Sequence, residues 1–195
     1  MSITFSTPSG FFEWSPAAWL RVTGPDALSF LQGQFSQDLR PVAAASRGAE
    51  PAYGLWLTLK GKVEADGFVF RGERAEEYWI GSYFSPASVI RSRLEGFIIA
   101  DDVTIEDQTD AWTGITWVGE APPVPAGVFA FTGRRGFPVS RDWVHRRDAR
   151  IDAAGSRLDA ETVERTRIAA RIPVALGAEF LALLIVEEGI ALPGD

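Results

Sequence analysis

Asp66 is the residue whose position most needs a chemical reason. It lies in "KGKVEADGFVFR", an apolar run in which Phe68 and Phe70 follow at alternate positions. Asp is depleted in strand interiors, so this carboxylate marks either the exposed face of an edge strand or a group turned into a cleft. In a cleft it would accept a hydrogen bond from a ring nitrogen of a heterocycle held between aromatic side chains. A second cluster is "QGQFSQD", which crowds Gln32, Gln34, Ser36, Gln37 and Asp38 around Gly33 where a helix should end. Such groups read either as a solvated helix end or as part of a site. Lys60-Gly61-Lys62 has a phosphate-binding flavour but reads as a solvated hairpin tip. Arg134 to Arg150 concentrates positive charge around His145. That segment reads as a solvated face, with His145 on a surface strand or loop, or else as a landing place for a small polyanionic ligand.

Composition removes many alternatives. With one His and no Cys, thiol catalysis, iron–sulfur ligation, most structural zinc sites and most hydrolase triads cannot be assembled. No metal site is expected, and no catalytic residue can be named. There is no Walker-A loop and no GxGxxG. A net charge of -7 argues against a nucleic-acid or anionic-membrane surface. The absence of cysteine fits a reducing cytoplasm, and no leader or membrane-spanning run is recognised, so the expectation is a cytoplasmic protein. The seven Trp and thirteen Phe exceed what a core of this length needs, and they suggest a ligand cleft or, if several tryptophans prove exposed, a protein interface.

The elements that position these residues follow from periodicity. Residues 18–23, 52–59, 63–70, 77–83 and 102–107 read as strands, with further candidates in "AWTGITWV" and "GVFAFTG". Gly24-Pro25-Asp26 opens a helix over 26–35 with Leu28, Leu31 and Phe35 on its core face. Ser85-Pro86 caps a helix over 86–96 whose Val89, Ile90, Leu94 and Phe97 share a face. Ser156-x-x-Asp159 caps a last helix over 158–170. Residues 40–51 read as a loop. The sum is an α+β protein, largely antiparallel with helices on one face.

In order and spacing, "VTGPDALSFLQGQFSQDL", "YGLWLTLKGKVEADGFVFR", "YWIGSYFSPASVIRSRLEGFIIADDVTIED" and "RTRIAARIPVALGAEF" resemble the YgfZ-type folate-binding proteins, relatives of the glycine-cleavage T-protein, an aminomethyltransferase. The resemblance spans about residues 10–180. It implies an aminomethyltransferase folate-binding-domain-like unit over 1–195, built of two interlocked α/β halves of about 1–107 and 108–195. The family's lysine–glycine–cysteine–tyrosine signature is absent and the sequence ends near where it would begin, so no C-terminal barrel is expected. By the same analogy Asp66, Arg167, Gln34, Asp38 and Glu179 would approach one tetrahydrofolate or related folate from separate elements. Ala65-Asp66 replaces the T-protein's paired acids, which implies binding without transferase activity, with a link to one-carbon metabolism or iron–sulfur protein maintenance. The alternatives are a non-catalytic subunit of a larger folate- or amine-oxidising enzyme, similar to the gamma subunit of sarcosine oxidase, and an active aminomethyltransferase.

Overall fold

The computed structural model describes residues 9–174 as two open antiparallel sheets with helices outside them. The larger sheet takes β2 (Ala18–Thr23), β3 (Ala52–Leu57), β4 (Val63–Arg71), β5 (Glu77–Ser82) and β6 (Thr104–Asp107) in the order β3-β4-β5-β2-β6. The smaller takes β1 (Gly10–Trp14), β7 (Trp112–Val118), β8 (Phe129–Phe131) and β9 (Ser140–Arg146) in the order β1-β7-β9-β8. β1 therefore crosses from the start of the chain into the sheet built otherwise from its second half. Among the described residues every ladder between these strands is antiparallel, and an isolated parallel bridge joins Phe11 to Arg157.

Strand alternation divides the larger sheet into two buried faces. On one, Leu20, Val22, Ala65, Val69 and Ile80 pack with Phe30 and Leu31 of α1 (Ala27–Gln34) and with Ile90 and Leu94 of α3 (Ala87–Glu95). On the other, Trp19, Phe68, Phe70 and Trp79 meet Trp112, Phe129, Phe131 and Val144 of the smaller sheet in a continuous aromatic layer. Each such side chain contributes about 1.5–3 kcal/mol on full burial. The layer is close enough to need glycine: a Cβ on Gly81 would lie 2.4 Å from the Trp19 ring. α4 (Ala160–Ala169) docks beside this layer through Val163, which packs with Val118 and Phe137.

Several local readings are corrected. Residues 40–51 are not all loop: α2 (Arg40–Ala44) opens there with Pro41 in its first turn, where a missing N–H costs nothing. Ser85 is not a helix cap, because its hydroxyl serves Asp66 and Pro86 takes the cap position without a side-chain bond. Asp159 rather than Ser156 caps α4, accepting from the Thr162 amide at 2.7 Å. Val89 and Phe97 are exposed while Ile90 and Leu94 are buried, so the core face of α3 is narrower than its spacing suggested. Six of the seven tryptophans are buried and Trp14 is half-buried, which withdraws the exposed-tryptophan argument for an interface.

Candidate functional site

The β3–β4 hairpin carries Asp66 to the inter-sheet face because Ala65 and Val69 take the helix-facing positions. There it is 5% exposed. A buried carboxylate needs donors, and the neighbouring strands supply them. The Tyr53 phenol on β3 donates to Asp66 Oδ2 at 2.7 Å. The Ser85 hydroxyl donates to Oδ1 at 2.8 Å and accepts from the Asp66 amide at 3.0 Å. Ser82 Oγ lies 3.4 Å from Oδ1 and accepts from the Ser85 amide at 3.0 Å, so one serine shapes the turn that presents the other. Burial, and secondarily the bond to Asp66, pushes the Tyr53 hydroxyl up to about 12; it stays protonated and keeps donating.

A second buried carboxylate faces this group from the smaller sheet. Asp142 on β9 is fully buried and accepts from the Tyr83 hydroxyl. The Arg135 guanidinium lies 3.9 Å from Asp142 Oδ2 and covers the rings of Tyr83 and Trp14 at 4.3 and 4.6 Å from their centroids. Burial raises the Asp142 carboxyl above its ordinary value, against the opposing pull of Arg135. Burial first, and the Asp142 charge second, raises Tyr83. Gly133 keeps the space open, since a Cβ there would meet Asp142 Oδ2 at 2.2 Å. Tyr53 and Tyr83 both pack on Phe68, at 5.0 and 5.4 Å between centroids, and Arg134 lies 4.1 Å over the Tyr53 ring while its amide donates to Tyr83. The two carboxylates are thus linked through paired tyrosines and adjacent arginines. Beside them, Ser82, Tyr83 and Phe68 line a void of only about 10 Å³, room for about one water.

The other sequence candidates divide. Arg167 on α4 lies 6.0 Å from the Phe84 ring centroid, so it approaches the 82–85 turn that presents Ser85 to Asp66. Its hydrogen bonds go to Glu164 and the Ile172 carbonyl. Gln34 is elsewhere: its Oε1 accepts from Arg93 at 2.8 Å, and Arg93 also reaches the Leu57 carbonyl and pairs with Glu64 at 2.9 Å. Asp38 is half-exposed and forks Arg40. Among the described residues no hydrogen bond or ion pair joins any two of Gln34, Asp38, Asp66 and Arg167; Glu179 lies outside them. In the "QGQFSQD" cluster Gly33, Ser36, Gln37 and Asp38 are exposed, while other contacts of the segment are structural. Gln32 accepts from the Leu39 amide at 2.7 Å and Ser36 accepts from the Leu55 amide at 2.8 Å, so these side chains stitch the end of α1 to the start of α2 and to β3.

Sequence reasoning missed Asp142, Tyr83 and Arg135. In the basic stretch from Arg134, Arg134, Arg146, Arg147 and Arg150 are exposed as a solvated face requires, but β9 runs through it and buries Asp142 and Val144, and Arg135 is buried with them. His145 is correspondingly buried rather than on the surface, its Nδ1 2.8 Å from the Arg146 carbonyl.

No family model and no curated protein matches the chain. Among solved structures it is similar to the crystal structure of glycine cleavage system aminomethyltransferase T from Bartonella henselae, with a TM-score of 0.56 at 13% identity over 95% of this chain. The likeness is one of fold. It covers 53% of that chain, so this sequence spans about half of the neighbour's length. Among the described residues no helix is long and apolar enough to cross a membrane, and no group of acidic or imidazole side chains could hold a metal ion.

Proposed function

We infer that this chain is a folate-binding-like protein of the T-protein class that holds a reduced folate or a similar nitrogen heterocycle against Asp66, without transferring a group. One observation carries the reading: a carboxylate 5% exposed, held by Tyr53 and Ser85 among aromatic rings. A carboxylate oxygen has room for more than one donor, so Asp66 can accept from a ring N–H in addition to these. Arg134 over Tyr53 and Arg167 beside Phe84 supply cations for an anionic tail. The void at Ser82 and Tyr83 is far too small for a heterocycle, so binding requires Tyr53 and Arg134, which flank Asp66, to swing outward.

We read Asp66 as a binding group: its hydrogen-bond partners are two serines and a tyrosine whose hydroxyl is pushed up to about 12. In this reading the fold has kept the folate-facing carboxylate without a proton relay, and a role in one-carbon metabolism or iron–sulfur protein maintenance is one of delivery or sensing. A saturable change in tryptophan fluorescence on titration with tetrahydrofolate supports this; no change up to millimolar ligand refutes it.

A further inference from the structure

The inter-sheet layer has a second end. Asp66 and Asp142 lie where β5 finishes and β9 begins; Glu77 and Arg146 mark the opposite strand ends. Around them is a groove of about 360 Å³, within the range of small-molecule sites. Trp79, Trp112 and Phe129 supply its aromatic wall, and Arg21, Arg47 and Arg146 its cations.

The three arginines are not equivalent. Arg21 is locked, with Glu77 and Glu106 each at 3.1 Å. Glu77 is buried and also accepts from the Trp79 indole N–H at 3.0 Å, which fixes that ring in the wall. Arg47 and Arg146 are held loosely. Their carboxylate partners are Glu73 at 3.4 Å, 69% exposed, and Asp148 at 3.5 Å, 75% exposed. Pairs of that kind contribute little. Both guanidiniums lie against the wall, 5.2 Å from the Phe129 centroid and 6.0 Å from that of Trp112. Two guanidinium forks with displaceable partners at the rim of a groove floored by tilted, mostly buried rings form a candidate anion site.

We propose that this groove binds a small dianion, a compact dicarboxylate, with its carboxylates on Arg47 and Arg146 and its apolar part against the exposed edges of Trp79, Trp112 and Phe129. The site is distinct from the Asp66 cluster and does not depend on the folate reading.

The probe is isophthalate, titrated by calorimetry and by tryptophan fluorescence, with the uncharged isophthalamide as its isostere. Isophthalate binds saturably, more weakly as sodium chloride is raised, and isophthalamide does not. Arg47→Gln and Arg146→Gln each weaken isophthalate about tenfold, and Arg47→Lys falls between wild type and Arg47→Gln because it keeps the charge but loses the fork. Circular dichroism verifies that each variant is folded. Equal binding of the two probes by the wild type, no saturable signal up to millimolar isophthalate, or unchanged affinity in folded Arg47→Gln and Arg146→Gln overturns the proposal; the comparison of probes on the wild type needs no variant.

Discussion

Tyr53 and Asp66 are diagonal neighbours across the β3–β4 pair: Tyr53 is registered with Phe68 and Asp66 with Leu55, and the phenol spans the offset to reach Oδ2 at 2.7 Å. Diagonal contacts of this length are within reach of aromatic side chains. The pair therefore fixes a carboxylate on the buried face of a strand through a neutral donor.

Replacing Tyr53 by Phe keeps the ring on Phe68 and removes the donor. Leaving a buried acceptor short of a partner costs roughly 1–3 kcal/mol. Chemical denaturation should show that loss for Tyr53→Phe, with the wild-type m-value. An unchanged midpoint would mean that water replaces the phenol and that the Asp66 environment is wetter than its burial indicates.

Asp142 gives the stability a distinctive pH dependence. Its folded carboxyl titrates above the ordinary 3.8 because of burial, so the folded state holds the proton more tightly than the unfolded chain. Its contribution to stability is fully present below that ordinary value and is lost as pH rises through the raised folded value. Asp142→Asn removes this titration. The stability difference, wild type minus Asp142→Asn, should fall as pH rises above 3.8, measured by denaturant unfolding at stepped pH. A flat difference would contradict the assignment.

Gln34 and Arg93 form a structural joint. Arg93 ties the end of α1 to the Leu57 carbonyl and to Glu64, with its guanidinium 4.0 Å from the Phe97 centroid. Hydrogen bonds to charged groups contribute about 1.5–3 kcal/mol, and Arg93→Ala should lose about that much in thermal unfolding. Gln34→Ala should lose less and leave tetrahydrofolate affinity unchanged. A fall in that affinity with stability intact would return Gln34 to the ligand site.

How much of this was legible in the sequence depends on which force sets each element. The strands of the larger sheet and the helices α1, α3 and α4 follow hydrophobic period, but the buried faces of α3 and α4 are narrower than period suggested, with Val89 and Phe97 exposed and Val163 the buried residue of α4. β9 was hidden because Arg141, Asp142 and His145 break the apolar signal, and only tertiary burial explains why they are tolerated. α2 was hidden behind Pro41, which starts helices as readily as it ends them. Asp66 was singled out because a strand rarely carries Asp without cause, and that cause is local: Tyr53, Ser82 and Ser85. The convergence of Gln34, Asp38 and Arg167 on it came from resemblance, and side-chain pairing with Arg93, Arg40 and Glu164 is a short-range choice that spacing does not reveal.

The most direct test of the Asp66 reading is calorimetric titration of the wild type and Asp66→Asn with tetrahydrofolate, side by side. Asparagine preserves the shape and removes the charge. The account predicts saturable binding by the wild type and a loss of roughly 1–3 kcal/mol in Asp66→Asn, the range for a polar partner left unmet, with Arg134→Ala also weakened. Equal affinity of wild type and a folded Asp66→Asn for tetrahydrofolate would contradict it, as would the absence of binding by the wild type.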